Sequence, residues 1–258
     1  MKLLVGADPE LFVSDNGKLV SCHGLLPGTK AEPHRVERGA VQVDGMAAEF
    51  NIDPAGDEET FITNLNTVQN ALRELLGGRS LEAIPVAHFG HEYIQSQPQE
   101  ARELGCEPDF NAWLDGAINP KPNVDAPFRT ASGHVHLGWK TDDPCFDEAI
   151  AVTKQMDFFL GLESLFWDDD KERRQLYGRA GCMRPKHYGV EYRVLSNAWL
   201  RSEELSRKVF QLAQRGFDAL MKGDMVFERY DNIESVINNS DKEEARRILN
   251  DYYGAGYV

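Results

Sequence analysis

The sequence predicts an α+β fold built on a mainly antiparallel sheet with flanking helices. Apolar and polar residues alternate with a period of two in several short stretches, and glycine and asparagine turns join the first of them. Long stretches of helical period lie among and after these strands without strict alternation, so parallel βαβ repeats are not expected. No Pro/Ser-rich linker, internal repeat or low-complexity segment divides the 258 residues, and one domain over 1–258 is expected.

Leu3 to Val5 opens a strand, Gly6-Ala7-Asp8-Pro9 interrupts it, and Glu10 to Val13 resumes it. Asp15-Asn16-Gly17 is hairpin punctuation, returning through Lys18-Leu19-Val20. Ser21 to Gly39, dense in Gly, Pro and charge, reads as an ordered surface loop. Ala40 to Asn51 reads as one strand with a glycine interruption, a candidate bulge, which puts Glu49 and Asn51 on one side. A helix begins near Asp57, since Phe61, Leu65, Val68, Leu72, Leu75 and Leu76 recur at helical spacing before Gly77-Gly78.

Leu81 to Phe89 reads as a further strand, and Pro98 to Pro127 holds too many Pro, Asn and Asp residues for regular structure throughout. Arg129 to Trp139 is a strand carrying Ser132-Gly133-His134-Val135-His136-Leu137-Gly138, with both imidazoles on one face and Val135 and Leu137 on the other. Asp143-Pro144 opens an apolar helix to about Trp167; a charged, glycine-punctuated segment follows from Asp168 to Lys186. Gly189 to Leu195 alternates again, with Glu191 and Arg193 sharing a face. Leu205, Val209, Leu212, Ala213 and Leu220 mark another helix, and Glu243 to Leu249 a short last one.

A net charge of -14 argues against a nucleic-acid partner, because affinity for the phosphate backbone needs an excess of Lys and Arg. Arg173, Arg174, Arg179, Arg184 and Arg193 nonetheless cluster within a short span, which points to a local anion site. Cys22, Cys106, Cys145 and Cys182 are far apart and form no Cys-x-x-Cys pair, so free thiols and a cytoplasmic location are expected. No membrane-spanning or signal segment is read from the sequence. Self-association into a homo-oligomer is left open.

The strand residues that face one cavity in this reading are Asp8, Glu10, Glu49, His134, His136 and Glu191, with Asn51 and Arg193 beside them. Three or more carboxylates in one pocket repel unless cations sit between them. The oxygen-rich set suits Mg²⁺ or Mn²⁺ better than zinc, which recruits more nitrogen or sulfur.

Four ordered motifs carry a family resemblance: Gly6-Ala7-Asp8-Pro9-Glu10-Leu11-Phe12, Glu49-Phe50-Asn51, Ser132 to Gly138, and Tyr177 to Arg184 leading into Gly189-Val190-Glu191-Tyr192-Arg193. Together, over about Gly6 to Trp199, they resemble the glutamine synthetase and glutamate-cysteine ligase superfamily, most of all its small phage-encoded carboxylate-amine ligases. The resemblance implies a sheet shaped as a half-open funnel, ATP entering at one end, and two or three divalent ions bridging its phosphates to strand carboxylates. It implies Asp8, Glu10, Glu49, His134 and Glu191 as metal ligands and places His136 nearer the nucleotide phosphates. Arg179, Arg184 and Arg193 would bind phosphate or the substrate carboxylate, and Glu49 or Asp44 would take a proton from the attacking ammonium.

Where relatives carry Glu-x-Glu on the first strand, this chain has Asp8-Pro9-Glu10, one methylene shorter at its first acid. The implied reaction transfers a phosphoryl group from ATP to the carboxylate of a small molecule or peptide; an amine attacks the acyl phosphate and an amide forms. Two rival readings are a metal-dependent hydrolase using His134, His136 and a carboxylate, and a non-catalytic binding protein that keeps the fold. Gln95 to Phe128 matches no motif and is where substrate choice is expected to reside.

Overall fold

The computed structural model describes residues 2–102, 109–120, 126–139 and 145–258. Its architecture is α+β, with antiparallel sheets flanked by helices. The strands of the first half are β1 (Leu4–Ala7), β2 (Glu10–Asp15), β3 (Lys18–Val20), β4 (His34–Val36), β5 (Gly39–Asp44), β6 (Ala47–Ile52), β7 (Ser80–Glu82) and β8 (Val86–His88). Those of the second are β9 (Phe110–Asn111), β10 (Ala117–Ile118), β11 (Phe128–Thr130), β12 (Val135–Gly138), β13 (Cys182–Lys186) and β14 (Gly189–Tyr192). One six-stranded sheet runs β1-β12-β14-β13-β9-β10 and the other runs β3-β2-β6-β5-β4 with β7 on β2; β8 and β11 pair separately.

The two large sheets meet where β1 hands the chain to β2 through Asp8-Pro9. Asp8 N donates to His134 O (3.3 Å) and Glu10 N to Ser132 O (2.9 Å), which carries the β1–β12 ladder across the break. Phe50 N donates to Pro9 O (3.1 Å), and Val5 exchanges hydrogen bonds with Ala55, so β6 and its continuation close the seam from the other side. Asp8 therefore stands at a junction between sheets.

Three readings of the sequence are corrected. Ala40 to Asn51 is a hairpin, β5 to β6, and Gly45 turns it with φ 57° in the left-handed region. Leu81 to Phe89 divides at Pro85 into β7 and β8, which join different partners. Arg129 to Trp139 likewise breaks: β11 pairs with β8 while β12 enters the large sheet, and Gly133 lies so close to Ser196 O (2.3 Å from an ideal Cβ) that no side chain fits there. The Asp15-Asn16-Gly17 hairpin is found as read, with Asp15 opposite Lys18 and positive φ at Asn16 and Gly17.

Nine α-helical segments lie among the described residues: α1 (Glu58–Leu75), α2 (His91–Gln95), α3 (Gln99–Arg102), α4 (Phe146–Met156), α5 (Leu162–Ser164), α6 (Glu172–Leu176), α7 (Glu203–Met221), α8 (Ile233–Asn239) and α9 (Lys242–Tyr253). Asp57 caps α1 by accepting from Thr60 N, as the sequence indicates. The Asp143-Pro144 start expected for α4 lies outside the described residues, and a π-helical turn over Asp157–Gly161 separates α4 from α5. The faces of α1, α4 and α7 bearing Leu65, Val152 and Val209 join Val5, Ala7, Val135, Leu137, Val190 and Tyr192 in one apolar core. Residues one position along each strand, Gly6, Asp8, His134, His136, Glu191 and Arg193, are thereby turned to the opposite face. No helix is long and apolar enough to cross a membrane among the described residues.

Candidate active site at the sheet junction

Strand register explains how distant residues converge. His136 stands opposite Gly6 on β1 and Glu191 on β14, and Glu191 stands opposite Arg184 on β13, so one row crosses four strands. A second row crosses the other sheet, Glu10 opposite Glu49 opposite Gln42. Asp8 lies between the two rows.

Ligand atoms of Asp8, His136 and Glu191 lie within 4.8 Å of one another. Asp8 Oδ1 and His136 Nε2 are buried 3.0 Å apart, a carboxylate set against an imidazole. His134 Nδ1 approaches Asp8 Oδ1 (3.5 Å) and Glu191 Oε1 (3.3 Å), so the second imidazole borders the same cluster. Glu191, fully buried, is ringed by cations: Arg193 binds its Oε1, while Arg184 Nη1 (3.2 Å) and Lys186 Nζ (2.9 Å) reach Oε2. Arg193 also turns its Nε to Asp109 Oδ2 (3.3 Å), so its guanidinium bridges two acids.

The protonation pattern follows from these contacts. Burial raises the Asp8 carboxyl, but His136 and then His134 overcome it and hold Asp8 well below the usual range. Glu191 is driven down to about 2, because Arg193, His134 and His136 outweigh burial and the nearby Asp8. Burial and the charge of Arg193 press His134 down to about 4, whereas Asp8 outweighs the burial of His136 and raises it. The cations near Glu10 and Glu49, Arg173 and Lys30, act on them too weakly to offset burial. Burial and Asp44 lift Glu10 to about 7, and burial with Asp8, Asp44 and Glu10 lifts Glu49 well above the carboxylate range. Glu10 accepts from Ser132 N (2.9 Å) and Glu49 from Gln42 Nε2 (2.7 Å), which leaves each held but not neutralised.

Two cavities adjoin this cluster and share Asp8 and Glu49 in their walls. The larger, about 460 Å³, has an apolar lining of Leu4, Ile52 and Pro54, and His136, Asn51 and Tyr188 also line it. Tyr188 shares a short hydrogen bond with His136 Nδ1, which leaves Nε2 directed at Asp8. The smaller, about 110 Å³, is charged: Glu10, Asp44 and Glu49 line it together with Arg129, Arg173, Arg184 and Arg193.

Of the residues singled out from sequence, Asp8, Glu10, Glu49, His134, His136, Glu191, Arg184 and Arg193 all line one or both cavities. Arg179 does not; it is exposed, and Arg173, earlier in the same basic run, takes the place at the wall. Asp8 stands at the centre of the three-ligand group despite its shorter side chain, and His136 rather than His134 completes that group. Lys186 and Tyr188 were missed. Lys186 keeps the period of two with Arg184 on β13 and was legible for that reason, but nothing in the sequence ties the hairpin residue Tyr188 to His136.

Residues 113–244, just over half of the chain, match the family model described as Phage phiEco32-like COOH.NH2 ligase-type 2, and the chain belongs to that family. No curated protein matches it.

Proposed function

We propose that this member of the carboxylate-amine ligase family uses ATP to join a carboxylate to an amine through an acyl phosphate, and that residues 1–258 form its single catalytic domain. The observation that carries the reading is the group Asp8, His136 and Glu191, whose ligand atoms converge within 4.8 Å, with Asp8 Oδ1 only 3.0 Å from His136 Nε2. Without a cation, the cluster relies on a proton on His136 beside Asp8, and Glu10 and Glu49 resist ionisation; both features fit residues arranged to hold Mg²⁺ or Mn²⁺. Asp8, His136 and Glu191 would hold an ion, with His134, Glu10 and Glu49 close enough to complete its surroundings or hold a second. Bound there, the metal supplies charge neutralisation for phosphate oxygens.

The two cavities divide the reactants by size and polarity. The nucleoside takes the larger, apolar one beside Leu4, Ile52 and Pro54, so that its phosphates run past His136 toward the cluster. The acid takes the charged one, where the N–H groups of Arg184 and Arg193 face the carboxylate and the transferring phosphoryl group. Their positions are fixed beforehand by Glu191 and Asp109, so little reorganisation is needed as charge develops on the oxyanions. Carboxylate oxygen attacks the γ-phosphorus and ADP leaves; the amine nitrogen then attacks the acyl carbon and phosphate leaves. Glu49 takes the proton from the incoming ammonium, a task suited to a carboxyl whose affinity for protons is raised; Asp44 lines the same cavity. The walls made by the two sheets form the half-open funnel of this proposal.

The test is ADP release from MgATP with a panel of acids and amines, followed by mass spectrometry for a condensed product. The expected result is ADP formation that needs an acid and is lost in EDTA. A metal-dependent hydrolase predicts instead product formation without ATP, and the arginines grouped around Glu191 favour the ligase between the two.

A further inference from the structure

Asp157 lines neither of the two cavities at the sheet junction and has no part in the reaction as described, yet it is a fully buried acid. Its three hydrogen bonds come from neutral donors on three different segments. Oδ2 accepts from Gly181 N (2.7 Å), which leads into β13, and from Trp113 Nε1 (2.6 Å), in the turn that joins β9 to β10. Oδ1 accepts from the hydroxyl of Tyr192 (2.7 Å), the last residue of β14. A carboxylate bonded only by neutral groups is costly to bury, and packing a helix on a sheet does not call for one. The π-helical turn over Asp157–Gly161 makes the contact possible, because an ideal Cβ on Gly161 would come within 3.0 Å of the Tyr192 hydroxyl and 2.6 Å of Ile237 Cδ1.

The three segments meet at Arg193. Its main-chain N donates to the carbonyl of Cys182 (3.0 Å), the first residue of β13, and its Nε to Asp109 Oδ2 (3.3 Å), just before β9. Gly181 precedes Cys182 and Tyr192 precedes Arg193, so Asp157 grips both chains one residue short of the first of these contacts. It reaches the second through the turn. Asn111 pairs with Cys182 and accepts at Oδ1 from Trp113 N (2.9 Å), and Ala112 N donates to Gly181 O (2.9 Å), so Trp113 fixes against β13 the strand that starts next to Asp109. Asp157 shares no hydrogen bond with Arg193 among the described residues, and any influence on it passes through these strands.

We propose that Asp157 is a positioning residue for Arg193: it locks the ends of β13 and β14 and the turn after β9 together, and so fixes the guanidinium between Glu191 and Asp109. The consequence for turnover rests on the ligase reading, in which Arg193 faces the transferring phosphoryl group; the link between Asp157 and Arg193 does not. Developing charge is stabilised by donors already in place, so an arginine that can swing lowers kcat more than it weakens the binding of ATP.

The full chain, labelled with ¹⁵N in arginine, reports the link through exchange of the Arg193 Nε–H with solvent at one pH, a signal identified by its loss in Arg193→Lys. Asp157→Ala and Tyr192→Phe are expected to speed that exchange roughly fivefold to tenfold, the scale of one hydrogen bond. Asp157→Asn, whose amide can serve all three partners, should stay near the wild-type rate. Gln155→Ala is the control for stability alone: two residues earlier, it gives up bonds to Gly216 O (3.3 Å), Asp224 O (2.9 Å) and Val226 N (3.0 Å) and should leave Arg193 as it is. Tyr192→Phe loses one hydroxyl and leaves no cavity to refill, so it decides the matter if Asp157→Ala does not fold. Exchange at the wild-type rate in Tyr192→Phe, or equal acceleration by Gln155→Ala, overturns the proposal. ADP release from MgATP with hydroxylamine and the panel of acids reads the consequence: kcat of Tyr192→Phe falls several-fold while KM for MgATP holds, and a wild-type kcat despite faster exchange overturns the positioning role. A wild-type chain that releases no ADP with any acid defeats the ligase reading and leaves the exchange result standing.

Discussion

Replacing Glu191 by glutamine keeps the size of a fully buried side chain and removes the one charge shared by Arg193, Arg184, Lys186 and His134. The shift of Glu191 from 4.5 to about 2 is 2.5 pKa units, which at 1.36 kcal/mol per unit is roughly 3 kcal/mol of stability at neutral pH. That agrees with the roughly 3–5 kcal/mol lost when one partner of a buried ion pair is removed. The folded-state pKa is depressed, so the stabilisation is complete above the unfolded value of 4.5 and is lost as pH falls toward 2. Denaturant unfolding of metal-free protein in EDTA, at a series of pH values, reads both quantities. Glu191→Gln is expected to be less stable at pH 7 by about 3 kcal/mol, a drop in Tm of roughly 6–12 °C for a chain of this size. The gap should close as pH falls below about 4.5 toward 2, where the wild type loses the same interaction. Equal stability at pH 7, or a gap that does not change with pH, refutes the view that this carboxylate balances the surrounding cations.

Three further outcomes are expected. Arg193→Lys keeps the charge but loses the planar fork between Glu191 and Asp109, and kcat/KM should fall by a factor corresponding to roughly 1.5–3 kcal/mol while metal affinity holds. Tyr188→Phe removes the group that orients His136, so Mn²⁺ affinity, read by calorimetry, should weaken about 10–100-fold with little change in Tm. Asp157 lies in the π-turn, where its Oδ2 accepts from Trp113 Nε1 (2.6 Å) and Gly181 N (2.7 Å) and its Oδ1 from the Tyr192 hydroxyl (2.7 Å). Burial raises Asp157 to about 7, so its contribution to stability falls as pH rises from 3.8 to about 7. Asp157→Asn keeps an oxygen for Trp113 and Gly181 and can donate to Tyr192, and its unfolding free energy should lack that part of the pH slope.

The alternation of His134 with Val135 and His136 with Leu137, and of Glu191 with Tyr192, made the division into a polar face and a core face legible, because a strand has only two sides. Helix α1 was legible to its cap for a similar reason, with Asp57 before a regular apolar stripe. Pairing partners were not legible. The Gly45 turn resembles a bulge until β5 is seen to fold back on β6, and the break between β11 and β12 depends on contacts with β8 and Ser196, far along the chain. Among the arginines, the sequence marks a cluster but not which members face the cavity. Arg173 and Arg179 differ in burial because α6 turns one inward, and Arg129 lies outside the basic run altogether.

The central claim is that a carboxylate is activated by phosphoryl transfer, and isotope transfer tests it most directly. The protein is incubated with MgATP, hydroxylamine as the amine, and a panel of carboxylic acids whose carboxyl oxygens carry ¹⁸O, and the released phosphate is examined by mass spectrometry. An acyl-phosphate route leaves one carboxylate oxygen in the phosphate, which is therefore heavier by one label, and the acid is recovered as a hydroxamate. Phosphate that carries no label while ADP accumulates, or hydroxamate that forms without ATP, would contradict the account.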